Sequence, residues 1–166
     1  MYVVLNEGIL MDFPCIKKYL SEGWIDYLIK KNPHQAQEET LFQLEECLRF
    51  LSLSHFSFGN IPVSQKIDDI WHLLILETRS YEALCLALPG KRFIHHSSHD
   101  FKSSNAVISH PEEAQRQLEW LVNYVSNFGE FTEQHLAYWP FAKALMEKLH
   151  LDVPSFYQKL LALAKR

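Results

Sequence analysis

Two short runs carry the side chains most able to do chemistry: Asp68-Asp69-Ile70-Trp71-His72 and, some twenty residues on, Arg92-Phe93-Ile94-His95-His96. An aspartate and a histidine four residues apart on a helix share a face. Such a pair can ligate one divalent ion or form an oriented acid/base couple. Two residues complete neither arrangement. The run around His95 and His96 supplies further imidazoles, and His99 and Asp100 follow closely. Two histidines and a carboxylate with open positions would suit catalytic zinc or non-haem iron. Adjacent histidines on an extended backbone point to opposite sides and seldom both bind one ion, so the expected metal ligands are His72, Asp68 and one or both of His95 and His96.

These residues need elements to hold them. Ser64 is a plausible N-cap, and apolar residues recur at Ile67, Ile70, Trp71, Leu74, Tyr81, Cys85 and Leu88, predicting one helix that ends at Pro89-Gly90. At 100° per residue, with Asp68 at zero, His72 falls at about 40°, Arg79 at about 20° and Asp69 near 100°. Asp68, His72 and Arg79 thus form a polar row beside the apolar stripe, with Trp71 at its border. Arg79 is placed to hold an anionic group of a substrate. The competing readings are a metal-free histidine network pinning the loop, and unrelated surface histidines. In the network reading the chain is a protein-interaction module. A metal-free enzyme using the Asp68–His72 pair as general base is a further possibility.

Around this centre the sequence predicts an all-α single domain over residues 1–166, with five to seven helices. Expected helices run from Pro14 toward Lys31, from about Gln35 to Leu53, from Ser64 to Leu88, from Pro111 to Phe128, from Phe141 to Leu149 and from Pro154 to Ala164. In the second, Leu41, Leu44, Leu48 and Leu51 make the buried stripe, and Glu38, Glu39, Glu45 and Glu46 fall on other faces. Residues 89–109 show no helical period and read as one long ordered loop. Such a length is unusual inside a domain and is often functional.

Composition narrows the class. The chain has 166 residues, 48% of them hydrophobic, and a formal net charge of −4. That charge argues against a general nucleic-acid binder, which needs a basic stripe. Cys15, Cys47 and Cys85 form no Cys-x-x-Cys pair, which fits a reducing, cytoplasmic setting. The amino terminus shows no signal peptide and no span, because Asn6, Glu7 and Asp12 interrupt its apolar residues. Secretion by a route that reads no such signal stays open. No Gly-x-Ser-x-Gly elbow or phosphate-cradling glycine loop is present, so a nucleophilic hydrolase or that mode of nucleotide binding has no support. Partners are left as a small molecule or a protein.

From Ile67 to Tyr81 the chain resembles the glycine-rich domain-containing protein-like family, whose block reads roughly V-D-E-x-W-H-x-H-I-L-x-T-x-x-Y. A Cys (here Cys85) and a Phe-Ile-His-His ending (Phe93 to His96) follow in that family. Tyr124, Phe128-Gly129-Glu130 and Trp139 look like its later segment, and Arg49 to Leu53 like an earlier one. The likeness covers about residues 40 to 140. It implies a shared site at Asp68, Trp71, His72, Thr78, Tyr81, His95 and His96, without naming a reaction. One position departs: the second histidine of Trp-His-x-His is Leu74 here, near 240° on the wheel and within the apolar arc.

Overall fold

The computed structural model describes residues 13–54, 56, 61–96, 111–129 and 131–165. Among them are nine helices: α1 (Phe13–Tyr19), α2 (Glu22–Lys31), α3 (Gln37–Ser54), α4 (Gln65–Leu76), α5 (Thr78–Ala87), α6 (Pro111–Phe128), α7 (Glu133–Leu136), α8 (Pro140–Lys148) and α9 (Val153–Ala164). The all-α expectation is met. The count of five to seven is not, for three local reasons.

The expected helix toward Lys31 is two helices, because Ser21 caps a new one. Its hydroxyl accepts from the Trp24 N–H at 3.3 Å, a stronger start signal than the apolar period running past it. The expected helix from Ser64 to Leu88 also divides. Glu77 leaves helical geometry at φ −90° and ψ 65°, ending α4 and starting α5 with no side-chain cap. Thr78 and Ser80 then open α5, residue types that compete poorly for helix interiors. The third addition is the single-turn α7, which Thr132 and His135 close with a reciprocal capping box.

Helix α3 lies at the centre, in contact with α1, α2, α4 and α6. It is buried almost all round from Thr40 to Leu53, so its leucine stripe accounts for only part of its packing. Helices α6 and α9 pack together, and α8 closes on α6. The buried apolar side chains form one cluster reaching from Ile16 to Leu160. Leu74 belongs to it with no exposure, where the wheel placed it. After α6 the chain turns at Gly129, whose φ of 84° suits glycine. Residues 97–109 of the expected long loop lie outside the described residues, as do His99, Asp100, His110, Glu130 and the amino-terminal positions Asn6, Glu7 and Asp12. The side chain of Cys15 does too.

Candidate metal centre

Helix α4 begins at a fixed point: Ser64 is its N-cap, accepting from the Ile67 N–H at 3.4 Å. That puts Asp68 in the first turn and His72 one turn on, on the row the wheel predicts. Asp69 faces outward and accepts from Gln65 Nε2 at 2.7 Å. The third group arrives on the strap after α5. Gly90 (φ 95°) and Lys91 (φ 47°) reverse the chain, Ile94 sinks into the core, and His96 follows on the same side.

Three side chains then meet. His96 Nε2 lies 2.8 Å from Asp68 Oδ1. His72 Nδ1 lies 2.8 Å from the Asp68 carbonyl oxygen and 3.2 Å from its Oδ2. The two imidazole centroids are 4.3 Å apart, and one donor atom from each of the three residues falls within 4.8 Å of the others. Carboxylate and carbonyl oxygens only accept, so His96 Nε2 and His72 Nδ1 donate in these contacts. The side chain of His72 is 50% exposed, against 10% for Asp68 and 9% for His96, so the cluster opens on one side only.

The three groups are near enough for a small cation to enter once the 2.8 Å pair opens slightly. Bonds of about 2.0–2.1 Å in a tetrahedral site put neighbouring donor atoms roughly 3.3 Å apart. The donor set is two imidazoles and one carboxylate, with positions left on the open side. Cys47 lies behind it, and burial together with the Asp68 and Glu46 charges pushes its thiol up, so it stays protonated. Cys47 and Cys85 are both buried free thiols.

Other residues singled out from sequence stand elsewhere. His95 is exposed, its ring 4.9 Å from Phe93, because the strap alternates faces and Ile94 and His96 take the inner one. Arg79 is exposed in the first turn of α5. Its alignment with Asp68 assumed one continuous helix, and the break at Glu77 removes that basis. Trp71 and Tyr81 are buried and bonded to each other, Trp71 Nε1–H donating to Tyr81 Oη at 2.8 Å.

A second polar group escaped the sequence reading. Glu46, read as lying off the leucine stripe of α3, has no exposure. Its carboxylate accepts from Arg49 at 2.8 Å, from Tyr124 Oη at 2.8 and 2.9 Å, and from Trp139 Nε1 at 2.6 Å. Burial raises the Glu46 carboxyl against the pull of Arg49, Trp139 and Tyr124. His135 borders this group. Its Nδ1 accepts from the Thr132 N–H at 2.9 Å, and Nε2 faces Arg49 at 3.1 Å. The available signal was a Glu-Glu-x-x-Arg spacing inside an apolar helix, far from Tyr124, His135 and Trp139 in sequence.

Burial, then the Arg49 charge, lowers His135 from the ordinary 6.5 to about 4. The unfolded chain therefore takes up this proton first. Stability is expected to fall as the pH drops from about 6.5 toward 4, by up to roughly 3 kcal/mol from this one group. Glu46, with its raised carboxyl, acts in the opposite sense, so the test is a difference. Urea unfolding of the wild type and of His135→Gln at pH 7 and pH 5 should show a shallower pH loss in the variant. Parallel losses would dismiss the assignment.

Neither a curated protein nor a solved structure matches the chain. The family comparison does, over residues 14–159, with the UCP032817-like family. This corrects the resemblance to the glycine-rich domain-containing protein-like family. That likeness rested on a block from Ile67 to Tyr81 and scattered later residues, whereas the match runs from α1 into α9. The chain belongs to the UCP032817-like family.

Proposed function

We propose that Asp68, His72 and His96 hold one divalent metal ion, zinc or ferrous iron, in a single helical domain spanning residues 1–166. The convergence of three donors from two separate segments, within 4.8 Å and open on one side, carries this reading. A metal so held supplies activation of bound water or, for iron, of dioxygen. Asp68 and His96 anchor from the buried side, and His72 closes the set from the solvent side. The buried thiols Cys47 and Cys85 suit a reducing compartment, and we place the protein in the cytoplasm. No helix among the described residues is long and apolar enough to cross a membrane.

The test is stoichiometry. Protein made without an affinity tag, incubated with zinc or with anaerobic ferrous iron and desalted, is expected to retain about one equivalent by elemental analysis, in keeping with a single three-ligand site. Retention near zero for both metals removes the reading.

A second reading has its own observation. The 2.8 Å contact from His96 Nε2 to Asp68 Oδ1 is already a complete charge-assisted hydrogen bond. In that reading the cluster pins the strap, and the surface around it meets a protein partner.

A further inference from the structure

The strap delivers His96 through a relay of two aromatic side chains. Trp71, next to His72 on α4, donates its indole N–H to Tyr81 Oη on α5 at 2.8 Å. Tyr81 Oη donates in turn to the carbonyl oxygen of Ile94 at 2.8 Å, two residues before His96. The hydroxyl thus uses a lone pair and its proton in one line, from the helix that carries Asp68 and His72 to the strap that carries the second imidazole. Tyr81 is 1% exposed, so both bonds run where water does not compete. Burial pushes the phenol up, and it keeps the proton it donates. Rings complete the clamp. Phe93 lies 5.4 Å from Tyr81, the edge of Trp71 meets His96 at 4.5 Å, and Phe50 of α3 backs Trp71 at 5.2 Å.

The break at Glu77 gives this arrangement its geometry. On a continuous helix Trp71 and Tyr81 would lie almost three turns apart, about 15 Å by the helical rise and about 80° round the axis. Turning α5 back against α4 brings the indole nitrogen and the phenol oxygen into contact. Phenylalanine at position 81 would keep the ring and lose the link, leaving the Trp71 N–H and the Ile94 carbonyl without this partner.

We propose that Tyr81 is the positioning residue of the Asp68–His72–His96 cluster: its hydroxyl, oriented by Trp71, holds the Ile94 carbonyl and so sets His96 against Asp68. The zinc arm of the test rests on the metal reading; the spectroscopic arm does not.

In chelated, metal-free protein labelled with ¹⁵N-histidine, the His96 Nε2–H held by Asp68 should give a downfield, slowly exchanging imidazole proton. His96→Asn identifies it by its disappearance. In Tyr81→Phe the signal is expected to vanish or to exchange at least about tenfold faster, comparable to the loss second-shell changes cause at metal sites. Leu84→Ala, a core change on the same helix that leaves the hydroxyl in place, controls for general loosening and should keep it. Trp71→Phe, which removes the orienting donor together with part of the ring that meets His96, should move exchange in the same direction, and serves if Tyr81→Phe does not fold. In parallel, zinc affinity should weaken about tenfold in Tyr81→Phe and little in Leu84→Ala. A wild-type proton signal in Tyr81→Phe overturns the proposal, as does equal loss in Leu84→Ala. Should the wild type bind no zinc, the metal reading falls, and the proton signal still decides the role of Tyr81.

Discussion

Arg49→Met should lower the stability of this chain by about 3–5 kcal/mol, the cost of stranding a buried charge without its partner. For a chain of this size that is a fall of roughly 10 °C in the unfolding midpoint. The side chain of Glu46 has no exposure and that of Arg49 only 9%, so solvent screens their attraction little. Arg49 also donates to Tyr124 Oη at 2.8 Å and pairs with Glu45, tying α3 to α6. Methionine fills much of the same volume and removes the charge, leaving the carboxylate with two neutral donors. The informative comparison is the double variant Glu46→Gln/Arg49→Met. A neutral amide still accepts from Trp139 and Tyr124, so the double should recover at least about 1 kcal/mol over Arg49→Met alone. Chemical denaturation of the two singles and the double measures this. Strict additivity would mean that the pair is not coupled.

Why Glu46 was illegible and Asp68 legible follows from what a helical wheel can know. On α4 the wheel needed only a neighbour on one side, and it placed Asp68 and His72 together and Leu74 in the core. On α3 it found the leucine stripe and set the glutamates on other faces, without saying what those faces meet. A sequence does not say that a helix has neighbours all round, as α3 does with α1, α2, α4 and α6. The same wheel failed for Arg79 because Glu77 breaks the helix without a side-chain cap, and Thr78 and Ser80 are only a weak local signal beside the apolar period that runs on. The break at Ser21 did carry one, a serine N-cap followed by an acidic first turn, and the apolar period masked it. The choice between His95 and His96 was within reach. Ile94 is the residue the core would claim, and on an extended strap the residue two further on shares its face. The family could not be read from a local block, since aromatic and histidine positions in one helix describe a site more than a lineage.

Zinc at a hundred times its dissociation constant should raise stability by about 2.7 kcal/mol if the cluster binds it in the folded state alone. That is a midpoint shift of roughly 5–10 °C, reversed by chelator. Asp68→Asn and His96→Ala should abolish the shift, and His95→Ala should leave it intact, because the exposed ring at 95 faces Phe93. His72 separates the two readings of the site most sharply. Its side chain is half exposed, and a contact of that kind contributes about 0–1 kcal/mol to the metal-free fold. If the cluster holds a metal, His72→Ala changes the chelated protein little and removes the zinc shift. If the cluster is a hydrogen-bond network that pins the strap, His72→Ala lowers the midpoint by the same small amount with zinc and with chelator, and the wild type shows no shift to lose. The asymmetry comes from geometry. Asp68 and His96 hold each other at 2.8 Å on the buried side, whereas the half-exposed His72 is bonded back to its own helix. Losing that ring therefore costs the metal-free fold little, while it takes away one of only three protein ligands of a bound ion.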